Sequence, residues 1–457
     1  MPERFDAIII GTGQAGPPLA DRLASAGLKV AVIERHRFGG TCVNTGCVPT
    51  KTIVASAYVA RLAGRGADYG VMTGPVSVDM AKVKARKDAI VARGQRGIES
   101  WMTGLDGATV IQGHARFEGP RTVRVGGRLL EADRIFINVG GRAAVPDLRG
   151  LDQVSFLTNS SVLDLDMTPE HLVIVGGSYI GLEFAQAFRR FGAKVTVVEM
   201  ADRIVAREDA ETSEAIASIL GDEGIEIRTG ARCLAVGGTD GDIRLQLGCD
   251  GDAQSLTGTH LLLAVGRRPN TDDLGLDKAG VATDARGYIT VDDQCRTSVE
   301  GIWALGDVNG RGAFTHTSFN DYEIVAANVL DNDPRKISDR IPAYGLFIDP
   351  PLGRVGMTEA EVRQKGIKAL SGRLEMTSVG RARERGETKG FMRVIADAET
   401  KRILGACVLG IGGDEVIHTF LELMAADAPF TAMARSVHIH PTVSEYLPVV
   451  LSNMEPL

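Results

Sequence analysis

Along the first third of the chain, polar segments alternate with short apolar runs too continuous to have a wet face. Residues 6–16 read D-A-I-I-I-G-T-G-Q-A-G, and such an unbroken run predicts a strand buried on both faces of a parallel sheet. It ends in G-x-G-x-x-G, formed by Gly11, Gly13 and Gly16. That spacing predicts a tight turn, close approach of a pyrophosphate to the backbone, and close packing of the next helix on the strand. Free N–H groups at the helix start suit phosphate oxygens. Pro17 and Pro18 fall in the helix's first turn, where a missing N–H costs little. A second strand over residues 29–33 leads into Glu34, an acid placed to accept hydrogen bonds from a ribose diol.

The same pattern recurs. Residues 171–176 form another apolar run, Gly176, Ser178 and Gly181 occupy the three glycine positions, and a strand over residues 194–198 leads into Glu199. Two dinucleotide-binding units are therefore predicted. Ser178 departs from glycine at the point of closest phosphate approach. A carboxylate at Glu199 suits a ribose 2′-hydroxyl and repels a 2′-phosphate, which favours NADH. Arg203 and Arg207 follow closely enough to leave NADPH possible. Between and beyond these units, residues 79–104 predict a long Lys/Arg-rich helix, read as a solvated excursion, and residues 109–138 predict short strands with glycine turns. The G-G-T-D-G-D segment at 237–242 predicts a hairpin turn. After residue 342 the pattern changes: strands at 391–396 and 403–409 and a helix at 414–426 predict an antiparallel sheet backed by helices.

Composition narrows the class. At 457 residues, about three domains are expected. With 44% hydrophobic and 24% charged residues and no apolar run of membrane-spanning length, a soluble globular protein is expected, without membrane partners. The net charge of −7 and the lack of a basic cluster argue against nucleic acid. Residues 1–6 lead straight into a strand, leaving no room for a secretory signal, so a cytoplasmic location is expected. Six cysteines in so long a chain do not make a disulfide scaffold. Cys233, Cys249, Cys295 and Cys407 stand singly and read as packing residues.

Cys42 and Cys47 are different. They lie in G-G-T-C-V-N-T-G-C-V-P-T-K, residues 39–51, where Thr45 and Gly46 allow the backbone to coil back toward the roughly 5.5 Å Cα separation of a disulfide. Pro49 is expected to begin a helix reaching about Leu62. The pair reads as a redox dithiol; a metal half-site or structural cysteines are the alternatives. No second pair at ligand spacing supports the metal, and none is expected.

C-V-N-T-G-C between two dinucleotide motifs resembles the pyridine nucleotide-disulfide oxidoreductases, the family of glutathione reductase, dihydrolipoamide dehydrogenase and mercuric reductase. Four further segments match in the family's order: V-G-G-R at 139–142, A-V-G-R-R-P-N at 264–270, G-I-W-A-L-G-D at 301–307 and H-I-H-P-T-V-S-E at 438–445. The resemblance covers essentially the whole chain. It implies an α/β fold with an FAD-binding domain (1–150), an NAD(P)-binding domain (151–274), a return segment completing the FAD domain (275–335), and a C-terminal α+β interface domain (336–457). The first motif would hold FAD, with Glu34 on the adenosine ribose, Asp307 on the ribityl chain, and Gly40, Thr41, Gly140 and Gly306 beside it. The second motif, with Gly266, would hold the nicotinamide nucleotide. Lys51 paired with Glu183 would lie near flavin N5, Cys47 against the flavin, and Cys42 toward the substrate. His440 would be the general acid/base, oriented by Glu445 and lent across a homodimer interface, with His438 a structural neighbour. H-P-T-V-S-E and G-R-A-R-E-R (380–385) are closer to mercuric reductase and dihydrolipoamide dehydrogenase than to glutathione reductase. The chain ends in S-N-M-E-P-L, without the C-terminal cysteine pair of mercuric reductases, so mercury reduction itself is not expected. The expected activity is NADH-driven reduction of a small disulfide, quinone or metal species in the mercuric reductase-like branch. Dihydrolipoamide dehydrogenase is the alternative, and a slow redox-sensing flavoprotein a second.

Overall fold

The apolar runs become the middle strands of two parallel sheets. A computed structural model describes residues 1–232, 234–248 and 254–457; Cys233 and Cys249 lie outside them. Strand Ala7–Ile10 sits at the centre of a five-stranded parallel sheet, between Val30–Glu34 and Arg134–Ile137, with Ala108–Gln112 and Ile302–Ala304 outermost. Its alternate side chains feed two separate cores. Ile8 and Ile10 pack with Phe117, Val123 and Leu130 of a smaller sheet, while Ala7 and Ile9 pack with Leu19, Leu23, Met102, Ile324 and Val325 of helices. Each fully buried isoleucine stabilises the fold by about 1.5–3 kcal/mol. Both faces being covered is why the run needed no polar alternation.

The second unit repeats this plan. His171–Val175 lies between Lys194–Val198 and His260–Leu263, and Glu226–Arg228 completes a four-stranded parallel sheet. The expected hairpin is present, with strands Ala235–Thr239 and Asp242–Leu247 paired antiparallel. The C-terminal region forms a six-stranded sheet in the order Ala343–Leu346, Leu352–Gly356, Ile403–Leu409, Phe391–Asp397, Ala369–Glu375 and Glu455–Pro456. All its pairings are antiparallel, and helix Gly413–Ala425 packs on it.

Five helices position the site: α1 (Gly16–Ser25), α2 (Gly40–Asn44), α3 (Cys47–Gly64), α4 (Met80–Thr103) and α5 (Tyr179–Arg190). Two expectations need correction. Helix α3 starts at Cys47, two residues before Pro49, because proline is tolerated anywhere in a first turn whose N–H groups lack intrahelical partners. Helix α4, capped by Asp79 accepting from Lys82 N at 3.1 Å, is not a solvated excursion. Met80, Lys87, Val91 and Met102 are buried and the helix packs along α3; its many cations hide an apolar stripe.

The second unit is joined to the C-terminal sheet by a buried ion pair. Arg354, 1% exposed, donates from Nε (2.9 Å) and Nη2 (2.6 Å) to Glu208, which also accepts from the hydroxyls of Tyr344 (2.7 Å) and Tyr179 (3.3 Å). Removing one member of such a pair strands the other charge in low dielectric. Arg354→Met is therefore expected to destabilise the protein by about 3–5 kcal/mol, measured by thermal and denaturant unfolding. Adding Glu208→Gln to it should recover a substantial part of that loss.

Candidate active site

Both glycine turns leave the carboxyl ends of their sheets in the same geometry. Gly11 has φ +104° and Gly176 φ +117°, and a Cβ on either would meet a carbonyl oxygen (Asn138 or Ala264) at 2.4 Å. A Cβ on Gly16 would lie 2.3 Å from Gly11 O, and one on Gly181 2.0 Å from Gly176 O, so the helices sit hard against their turns. The acids repeat too. Glu34 accepts from Thr12 N (3.0 Å), Thr12 Oγ1 (2.6 Å) and His36 N (2.8 Å). Glu199 accepts from Gly177 N (2.7 Å) and Ala201 N (2.8 Å). Each carboxylate is thus fixed by backbone at the tip of its strand, with lone pairs remaining for a ribose.

Segments distant in sequence close around the first turn. A Cβ on Gly40 would lie 2.8 Å from Gly13 Cα, so the start of α2 abuts the phosphate turn. Asn138 Oδ1 accepts from Gly16 N at 3.1 Å while its Nδ2 donates to Leu305 O at 2.9 Å. Gly306 N donates to Asp321 at 2.8 Å. Arg267 joins three of the expected cofactor residues or their neighbours: it donates to Gly141 O, to Thr41 Oγ1 at 3.4 Å, and faces Asp307 at 3.4 Å. Gly140 O accepts from Asn270 N (3.0 Å) and Gly266 O from Ala144 N (2.9 Å), at the crossing between the two units. Burial pushes the Asp307 carboxyl up, against the pull of Arg267. A half-desolvated carboxylate with one cation nearby suits hydroxyl donors, and with the glycine turn it fits the FAD expected here. Asn138, Arg267 and Thr12 were not singled out from sequence; a polar residue ending the apolar strand R-I-F-I-N was the available signal for Asn138.

The cysteines sit where α2 hands over to α3. Gly46 makes the reversal, and a Cβ there would meet Thr41 O at 2.9 Å. Asn159 Nδ2 holds the turn by donating to Thr45 O at 2.9 Å. Cys42 lies within α2 and Cys47 in the first turn of α3, and both are free thiols. Cys47 Sγ is 3.1 Å from Thr315 Oγ1, a partner that sequence reasoning missed. Cys47 is lowered to about 6, chiefly by a hydrogen bond from Cys42, then by Thr315 and the Lys51 charge, against its desolvation. Cys42 is raised, because it is the donor in that bond and is partly buried. The Thr315 hydroxyl and the Lys51 charge thus favour the thiolate form of Cys47. Cys295 and Cys407 are buried, which pushes both thiols up.

One turn along α3, Lys51 Nζ lies 2.5 Å from Glu183 Oε2 of α5. Glu183 is 4% exposed, and its other oxygen accepts from Phe347 N at 3.0 Å. Ser178 precedes α5 in extended conformation and makes no side-chain cap.

His440 stands apart. Its Nδ1 is 2.8 Å from Glu445 Oε2 and its side chain is 77% exposed. Val437 and Ile439 beside it are also exposed. Among the described residues, no hydrogen bond joins it to Cys42 or Cys47, whereas Cys47 meets Thr315.

The residues from 5 to 321 match the family described as pyridine nucleotide-disulphide oxidoreductase, and residues 342–450 match that family's dimerisation domain. The chain belongs to the pyridine nucleotide-disulfide oxidoreductases. Members of this family are enzymes that use FAD and NAD(P)H, and the dimerisation domain marks a homodimer. The chain is 35% identical over 453 residues to a probable pyridine nucleotide-disulfide oxidoreductase, RclA, of Escherichia coli K12, covering 97% of this chain and 98% of that one. It is 33% identical to a mercuric reductase of Bacillus cereus (95% and 70% covered) and 32% identical to dihydrolipoyl dehydrogenase 3 of Haloarcula marismortui (96% and 94%). A solved structure described as the Cu(II) complex of the HOCl-induced flavoprotein disulfide reductase RclA from E. coli superposes with a TM-score of 0.89 at 34% identity, covering 98% of this chain and 99% of that one. Among the described residues, no helix is long and apolar enough to cross a membrane.

Proposed function

We propose that this oxidoreductase passes two electrons from NADH, through the Cys42–Cys47 pair, to a small disulfide, quinone or thiophilic metal ion. The two cysteines at the handover from α2 to α3, with Cys47 Sγ 3.1 Å from Thr315 Oγ1 and the Lys51–Glu183 ion pair one turn along, carry this reading. Bound FAD supplies the two-electron relay between the nicotinamide and the cysteines. The Gly11–Gly16 turn, Glu34, Gly40, Thr41, Gly140, Gly306 and Asp307 hold it; Gly176, Ser178, Gly181, Glu199 and Gly266 hold the nucleotide.

The protein's own groups divide the exchange chemistry. Cys42, raised as a thiol, needs a base before it can attack an incoming disulfide. His440 of the partner subunit, aimed by Glu445, takes that proton and returns it to the leaving thiol. Cys47, already a thiolate, then attacks Cys42 in the mixed disulfide, releasing the second product thiol and closing the Cys42–Cys47 bridge. The balance is one disulfide, NADH and a proton giving two thiols and NAD⁺. Quinones and Cu(II) enter as acceptors of the same electrons. The Cu(II) complex of the E. coli relative makes copper the first metal to test, and the relatives named dihydrolipoyl dehydrogenase make lipoamide the first disulfide. Four hydrophobic cores follow the division at residues 150, 274 and 335, and a further one, with Ile53, Phe184 and Leu352, joins the three regions across it.

The test is anaerobic titration with NADH and NADPH, followed by lipoamide, glutathione disulfide, quinones, and mercuric and cupric ions. NADH is expected to reduce the enzyme and raise a long-wavelength thiolate–flavin absorbance. Because Glu199 is fixed at the strand tip, Glu199→Gln should narrow the preference for NADH over NADPH by about tenfold. Equal wild-type turnover with NADPH would overturn the role of Glu199. Reduction of the enzyme with no acceptor turning over would favour the slow redox sensor.

A further inference from the structure

The Lys51–Glu183 pair links the cysteine helix to the nucleotide-binding unit, yet its third member comes from neither. Phe347 lies between strands Ala343–Leu346 and Leu352–Gly356 of the C-terminal sheet. Its ring carries the Lys51 ammonium at 4.6 Å from the centroid, and its backbone N–H donates to Glu183 Oε1 at 3.0 Å. Gly345 leaves room for that ring: a Cβ there would press on Phe347 Cε2 and Cζ at 3.3 Å.

We propose that Phe347 is a positioning residue for the Lys51–Glu183 pair, its ring fixing the ammonium while its N–H fixes the carboxylate. Lys51 has four rotatable side-chain bonds and is 36% exposed, so a single carboxylate contact leaves its ammonium free to swing about Glu183. The aromatic face supplies a second, directional attraction to the same charge. Glu183 needs its own restraint, since a buried carboxylate held by one partner would follow the lysine. Phe347 N–H provides it on the oxygen that Lys51 does not use. The C-terminal sheet thereby sets the distance from the Lys51 charge to Cys47, one helical turn back on α3.

This inference rests on the proposed function and predicts a change in the ionisation of Cys47. The groups facing that thiolate are the Cys42 thiol on α2, the Thr315 hydroxyl, Lys51 with Glu183 behind it and, in the proposed dimer, His440 of the partner subunit on the Cys42 side. Of these, Phe347 contacts Lys51 and Glu183. In the reduced holoenzyme, the pH midpoint of the long-wavelength absorbance reads the Cys47 ionisation. Phe347→Leu keeps the N–H and most of the volume but removes the aromatic face. It should raise the midpoint by about half a pH unit or more, and Phe347→Met should do the same. Phe347→Tyr should keep the wild-type midpoint. In a Lys51→Met background, Phe347→Leu should add no further shift. A wild-type midpoint in both Phe347→Leu and Phe347→Met overturns the proposal, as does an equal shift in Phe347→Tyr or an undiminished shift without Lys51. A wild-type enzyme lacking the absorbance altogether overturns the functional reading, and the inference with it.

Discussion

Cys47→Ser is expected to abolish NADH-driven disulfide reduction, by at least about a thousandfold, while FAD stays bound. The residues around the phosphate turn (Asn138, Arg267, Glu34) do not touch Cys47, so the cradle has no reason to open. Serine removes the one sulfur that can close a bridge with Cys42, and its hydroxyl does not ionise in the working range. The long-wavelength absorbance should vanish with it. Cys42→Ser should also stop turnover, since the exchanging sulfur is gone, but should keep the absorbance. There the pH profile is diagnostic. The wild-type band should be full well above pH 6 and fade as pH falls through about 6, where Cys47 takes up its proton. The largest cause of that low value is the hydrogen bond from Cys42, so Cys42→Ser, with a different and shorter donor, should move the midpoint upward. An unaltered band in Cys47→Ser would mean that Cys42 faces the flavin and the two roles are exchanged.

The parts of this site that were legible in the sequence share a property: their chemistry is local. The two glycine turns, the acids Glu34 and Glu199, and the cysteine pair each announce themselves within one supersecondary unit, because turn geometry and strand burial are dictated by neighbouring residues. What was not legible depends on contacts between units. Thr315 reaches Cys47 across 268 positions, and Asn138 stitches Gly16 to Leu305 from a strand whose only hint is one polar residue at its end. Phe347 looks like an ordinary loop aromatic until the C-terminal sheet places it against Lys51. The long helix α4 hides its packing for the opposite reason. Its cations dominate the composition, while a stripe of well-spaced buried residues decides where it packs. Helix α3 begins two residues before the Pro49 that marks its first turn in the sequence. That small shift matters, since it puts Cys47 itself in the first turn of an 18-residue helix, where the unpaired N–H groups and the helix dipole favour a thiolate.

His440→Gln is expected to slow the disulfide half-reaction by about 10²–10⁴-fold and to leave reduction of the enzyme by NADH unchanged. Gln keeps a polar group at the site and cannot shuttle the proton that Cys42 must lose. Which subunit supplies the histidine can then be decided by mixing. His440, held by Glu445, is exposed and bordered by exposed Val437 and Ile439, and the chain carries a dimerisation domain. In a two-fold dimer, both sites are equivalent and each would combine the cysteines of one subunit with the histidine of the other. A heterodimer of Cys42→Ser and His440→Gln subunits then holds one site with both lesions and one with neither. That heterodimer should recover about half of the wild-type activity, and a random one-to-one mixture about a quarter, although each parent homodimer is nearly dead. If each subunit used its own histidine, every site in the heterodimer would carry one lesion and no activity would return. Recovery thus requires a site shared between subunits, and its absence, with heterodimers shown by mass to have formed, places His440 with the cysteines of its own chain.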